Sequence, residues 1–128
     1  TYLGSCHCKA VKFEVDAEID HVRVCDCSIC SMRGGLMFRV QSNAVRHLTP
    51  LADLTPYRWG SCTATDYFCP ICGILPFRKP SHPTRAEQAA GMAAFDGWAI
   101  NTRCLEGFSP EAVTVVPIFG RRLGLETD

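Results

Sequence analysis

Tyr67-Phe68-Cys69-Pro70-Ile71-Cys72-Gly73-Ile74-Leu75-Pro76-Phe77 sets two apolar runs on either side of a Cys-x-x-Cys-Gly turn. Tyr67-Phe68 leads into the turn and Ile74 to Phe77 leads out of it, the pattern of a β-hairpin. Such a turn folds both sulfurs toward one metal ion, and Gly73 permits the positive φ that a tight turn often needs. A redox pair of the thioredoxin kind normally sits in βαβ surroundings. No such alternation of strand and helix flanks this segment.

Outward from the hairpin the chain reads as mainly β. Val11-Lys12-Phe13-Glu14-Val15 alternates apolar and polar residues, as a half-buried strand does. Val22 to Cys25, Leu36 to Val40, Trp98 to Asn101 and Val113 to Val116 are further short strand candidates, the last expected to end at Pro117. Prolines and glycines punctuate the intervals. Arg85 to Ala90 differs: it is rich in helix formers and is followed by Gly91, and it predicts a helical turn or two or a surface loop. The length, 128 residues, suits one domain over 1–128. Lysine plus arginine equals aspartate plus glutamate at 13 each, so the basic excess of a general nucleic-acid binder is missing. No apolar run approaches the roughly 18 residues of a membrane span. Thr1 to Gly4 shows no basic-then-apolar leader pattern, and a start at Thr1 suggests a trimmed chain.

Nine cysteines, an odd number, fit a disulfide framework poorly, and seven of them fall in tight clusters. Metal binding in a reducing, cytoplasmic setting is the better reading. Beside Cys69 and Cys72 stands Cys6-His7-Cys8, where residues two apart in an extended segment point to one side. The third cluster is Cys25-Asp26-Cys27-Ser28-Ile29-Cys30. A structural zinc wants four ligands. The natural partition joins Cys6 and Cys8 with Cys69 and Cys72. It leaves Cys25, Cys27 and Cys30 as a three-ligand site with a vacant position, the usual mark of a catalytic zinc. Spacing leaves two alternatives open: Cys62 closes the second site, or the trio holds an iron–sulfur cluster with a further ligand. His7, between two ligands, is expected to point away from the metal. His21 and His47 read as surface or hydrogen-bonded histidines, and Cys62 and Cys104 as small buried hydrophobes. Arg33, close after the trio, either offsets its negative charge or is solvated.

Gly4-Ser5-Cys6-His7-Cys8 with Val11 to Val15, then Cys25 to Cys30, then Phe68 to Gly73, resembles the glutathione-dependent formaldehyde-activating enzyme family, which includes the centromere protein V domain. Pro80-Ser81-His82-Pro83 and Asn101 to Leu105 also look like family segments. The resemblance implies a β-tent fold of small antiparallel sheets stapled by a structural zinc on Cys6, Cys8, Cys69 and Cys72. It implies a second, looser zinc on Cys25, Cys27 and Cys30. The implied activity is of the carbon–sulfur lyase type, joining glutathione and formaldehyde and reversing the reaction. Two departures stand out: Lys9 where a glycine is common, and an apparent insertion from Thr84 to Phe95, expected to be a surface segment dispensable for metal binding.

The ligand set suits that chemistry. Three thiolates make zinc a mild Lewis acid, better at holding an incoming thiol than at making hydroxide. The trio is therefore expected to present a substrate thiolate to a small aldehyde, with Asp26 or Ser28 shuttling a proton and Arg33, Arg58 or Arg78 contacting the thiol's carboxylates. Two other readings compete: a zinc-stabilised binding module without catalysis, and a redox or metal-sensing switch on the trio.

Overall fold

A computed structural model describes residues 1–26, 28–58, 64–80, 89, 91 and 96–118. Cys27, Cys62, and all of Thr84 to Phe95 except Ala89 and Gly91 lie outside the described residues, so the expectations placed on them stand without structural description; Ala89 and Gly91 are exposed.

Two sheets make the fold. The smaller has three strands in the order β1 (Tyr2–Ser5), β2 (Lys12–Val15) and β5 (Val45–His47), all antiparallel. The larger has seven: β10 (Thr114–Ile118), β3 (His21–Cys25), β4 (Met37–Gln41), β9 (Gly97–Asn101), β8 (Phe77–Lys79), β7 (Thr65–Phe68) and β6 (Thr55–Tyr57). It is antiparallel except where β10 runs parallel to β3. The expected strand over 11–15 forms as β2, with Phe13 and Val15 buried and Lys12 exposed, so the alternation does set the buried face.

The expected hairpin also forms, with Tyr67 opposite Phe77. Its return strand begins at Phe77 rather than Ile74. Pro76 has no N–H to give to a ladder. The oxygens of Leu75 and Pro76 instead accept hydrogen bonds from the side chain and backbone of Asn101 at 3.0 and 2.9 Å. Pro117 does not end β10 but lies within it. The strand tolerates it because β10, among the described residues, is an edge paired only with β3. The opposite edge, β6, carries Pro56. A proline on each edge blunts both against further strand pairing.

The sheets meet at an aromatic cluster. Phe13 of β2 stands edge-on to Phe77 of β8 at 5.3 Å, and Phe77 stands edge-on to Trp98 of β9 at 5.3 Å. His47 of β5 fits between the rings of Phe77 and Trp98, at 4.8 and 4.6 Å. Its Nε2 is buried and has no hydrogen-bond partner among the described residues. This corrects the expectation of a surface or hydrogen-bonded histidine: His47 serves as an aromatic packing residue. His21 does match it, bonding Asp20 at 2.7 Å at the surface. At β1, Gly4 lies opposite Phe13 in the ladder, and a Cβ there would come within 2.2 Å of the phenyl ring. Only glycine lets this fully buried ring pass under β1.

Candidate metal centre and adjoining cleft

The first cysteine pair sits in the turn between β1 and β2, and the second in the turn between β7 and β8. Each turn is built by its own backbone. Cys6 N–H donates to the Val11 oxygen at 3.1 Å, and Lys9 N–H donates to the Cys6 oxygen at 3.2 Å. In the second turn Cys69 N–H reaches the Ile74 oxygen and Gly73 N–H the Cys69 oxygen, both at 2.9 Å, with Gly73 at φ +78° as the sequence requires.

The two turns, from different sheets, bring the sulfurs of Cys6, Cys8, Cys69 and Cys72 within 4.8 Å of one another. Cys8 Sγ lies 3.6 Å from both Cys6 Sγ and Cys69 Sγ. A tetrahedral zinc with Zn–S bonds of about 2.3 Å has S···S edges of about 3.8 Å, so this donor set fits the ion. Further N–H groups aim at the sulfurs: Val11 at Cys6 at 3.3 Å and Ile71 at Cys69 at 3.4 Å. The backbone N–H groups of Cys8 and Ile74 draw Cys72 down to about 6. Those of Cys72 and Ile71 lower Cys69. At Cys8 the Ala10 N–H pulls downward, but desolvation and the thiols of Cys69, Cys6 and Cys72 outweigh it and lift the group to about 11. Four thiolates this close need a cation among them to ionise together. His7 is exposed and stands outside the ligand set, as its place between two ligands requires.

The third cluster lies elsewhere in the fold. Cys25 ends β3, and Cys30 lies in a short helix, α1 (Ser28–Arg33). Both are half-buried. Asp26 is tied to β10 by its N–H, which donates to the Ile118 oxygen at 3.0 Å. Helix α1 buries none of its residues, which explains why no amphipathic stripe announced it. Its last residue anchors it: Arg33 Nη1 donates to Asp66 Oδ2 at 3.0 Å. Asp66 is buried on β7, and its other oxygen accepts from Arg78 Nε of β8 at 2.6 Å. Arg33 thus keeps part of its surface in water while its charge is paired with Asp66. Asp66 is the residue that sequence reasoning missed; a lone acid in an apolar strand, thirty-odd positions from its partner, gave no local signal.

A cavity of about 490 Å³ opens between the first cysteine turn, the end of α1 and the segment after β9. Lys9, Arg33 and Arg103 line it, with Cys6 and Cys104. Of the three arginines expected near a substrate carboxylate, Arg33 reaches this cleft; Arg78 bonds Asp66, and Arg58 bonds the Thr65 hydroxyl at 3.1 Å. The far wall is fixed by Thr102, whose N–H and hydroxyl both donate to the Leu36 oxygen, at 2.9 and 2.7 Å. Burial pushes the Cys104 thiol up to about 11, so it stays protonated; it is half-buried and lines the cleft, less enclosed than the small buried hydrophobe expected.

A family model described as glutathione-dependent formaldehyde-activating enzyme matches residues 1–104. The chain belongs to this family. The match spans both cysteine turns of the four-sulfur cluster and the Cys25–Cys30 segment. The fold is similar to the crystal structure of a Rhodobacter sphaeroides protein, with 30% sequence identity and a TM-score of 0.68, covering 89% of this chain and 99% of that one. Family membership accounts for the agreement between the expected staple and the observed cluster. Among the described residues no helix is long and apolar enough to cross a membrane.

Proposed function

We propose that this family member is a zinc-dependent, carbon–sulfur lyase-type enzyme. It joins glutathione, or a similar thiol, to formaldehyde or another small aldehyde, and reverses that reaction in the cytoplasm. One zinc, held by Cys6, Cys8, Cys69 and Cys72, is structural. A second and weaker zinc is held by Cys25, Cys27 and Cys30. The observation that carries this reading is the composition of the four-sulfur cluster, which uses the two pairs and leaves Cys25 and Cys30 out.

Zinc on the trio would lower the pKa of an incoming thiol and so supply thiolate at neutral pH. The thiolate sulfur adds to the aldehyde carbon, the C–S bond forms, and the carbonyl electron pair moves onto oxygen. The proton given up by the thiol ends on that oxygen, and the reverse reaction returns it. Asp26 and Ser28, on either side of Cys27, are suited to pass this proton. Arg33 is suited to hold a carboxylate of the thiol, since its bond to Asp66 uses one Nη1 N–H of the five that a guanidinium carries.

The test is a zinc titration of the reduced protein with and without glutathione. Two equivalents should bind, the second more weakly and more readily stripped by a mild chelator. A variant with serine at Cys25, Cys27 and Cys30 should bind one equivalent, stay folded and lose thiol–aldehyde activity. Cys69→Ser should instead lose on the order of 10 kcal/mol of metal-linked folding energy. If no second equivalent binds under either condition, a zinc-stabilised binding module without catalysis replaces the enzyme.

A further inference from the structure

Among the described residues other than glycine, Lys9 alone has a positive φ, at 70°. The turn that places Cys6 and Cys8 imposes it, since the chain must reverse within a few residues to let Val11 N–H reach Cys6 Sγ. A Cβ is unfavourable in this left-handed region, and glycine or asparagine would meet the same turn with less strain. Strain kept at one residue points to a use for its side chain. The lysine chain runs along the cleft, where Nζ bonds Ser5 Oγ at 3.1 Å and has donors to spare. Arg33 and Arg103 share that cleft, and Asn101 and His7 add polar atoms. Among the described residues Glu106 is the only carboxylate in the lining. Three basic side chains, of which Arg33 is already paired with Asp66, face one acid across a cavity of about 490 Å³, ample for a tripeptide-sized ligand end.

We propose that Lys9 is a specificity-determining residue that, with Arg33 and Arg103, recognises a carboxylate of a small anionic ligand in this cleft. The charge selects the ligand, and the backbone bears the strain of placing a long cationic chain where glycine would sit more easily. The proposal deepens the thiol–aldehyde reading and rests on it for the identity of the ligand as a thiol, but not for the anion contact itself.

The experiment uses zinc-loaded protein and three probes in calorimetry: glutathione, S-methylglutathione and glutathione diethyl ester. Lys9→Met should weaken glutathione and S-methylglutathione about tenfold, the worth of one charge-assisted hydrogen bond, and leave the diester unchanged. Lys9→Arg should keep most of the affinity. Lys9→Gly should weaken binding as Lys9→Met does while raising the urea midpoint, an opposed movement that a purely structural lysine does not produce. Glutathione binding that is the same in parent, Lys9→Met and Lys9→Gly overturns the proposal. So does a loss confined to zinc affinity, which would assign the charge to the four-sulfur centre. Failure of the two readings is distinguishable. S-methylglutathione binding that depends on Lys9, in a protein that takes no second zinc, keeps this proposal and removes the enzymatic one. Thiol–aldehyde turnover indifferent to Lys9 does the reverse.

Discussion

Replacing Asp66 with asparagine removes a charge that two arginines share. The Asp66 side chain is 1% exposed, while those of Arg33 and Arg78 keep 27% and 20%. Breaking a fully buried ion pair from one side costs about 3–5 kcal/mol. Here both guanidiniums keep some water, and the asparagine oxygen still accepts one of the two bonds, so the cost falls to about 3 kcal/mol. With a urea slope of about 1.5 kcal/mol/M for a domain this size, the midpoint should drop by about 2 M. Unfolding must be followed at fixed free zinc and under reducing conditions, because bound metal otherwise shifts the midpoint by mass action. Arg33→Met alone should cost about half as much, and the double-mutant cycle with Asp66→Asn should show coupling of about 1.5 kcal/mol. Hydrogen exchange gives a local readout. Gly34 N–H donates to the Cys30 oxygen at 2.9 Å and should lose protection in Asp66→Asn, since α1 buries no residue and relies on Arg33 for its docking. An unchanged midpoint and an unchanged Gly34 would refute the reasoning.

Two more outcomes follow from packing and burial. Gly4→Ala sets a Cβ 2.2 Å from a buried Phe13 ring that has little room to move; it should cost about 2 kcal/mol or more, read as a lowered melting temperature. Burial, and then Lys79, holds His47 below the ordinary imidazole value. Between the folded and unfolded pKa values the unfolded chain binds more protons, so the stability tied to neutral His47 is complete above about pH 6.5 and is lost as pH falls below it. His47→Phe should flatten that part of the slope between about pH 5 and 7 in urea-midpoint measurements, and remove the unpartnered Nε2 as well. A parent and variant with parallel pH profiles would contradict it.

Much of the site was legible in the sequence because metal ligation is a local grammar. A Cys-x-Cys or Cys-x-x-Cys-Gly turn places two sulfurs by short-range backbone geometry alone, and the hydrogen bonds within each turn complete it. The alternation at Val11 to Val15 fixed which side of β2 is buried for the same local reason. Three strands escaped, β1, β5 and β6, each only three or four residues long. Strands that short take their definition from partners in space rather than from a periodicity of their own.

What the chain order could not state is which distant segments meet. Two turns about sixty residues apart, each competent for half a site, become one four-sulfur centre only because β1–β2 and β7–β8 belong to different sheets that meet at Phe13, Phe77 and Trp98. The same packing buries Asp66 beneath two arginines, turns His47 from a surface residue into a wall of the aromatic cluster, and gathers Lys9, Arg33 and Arg103 around one cleft. Local sequence sets the conformation of each turn and the buried face of each strand. Burial of a carboxylate, and the company of three cations, are properties of the space between segments, and only the closed sheets create that space.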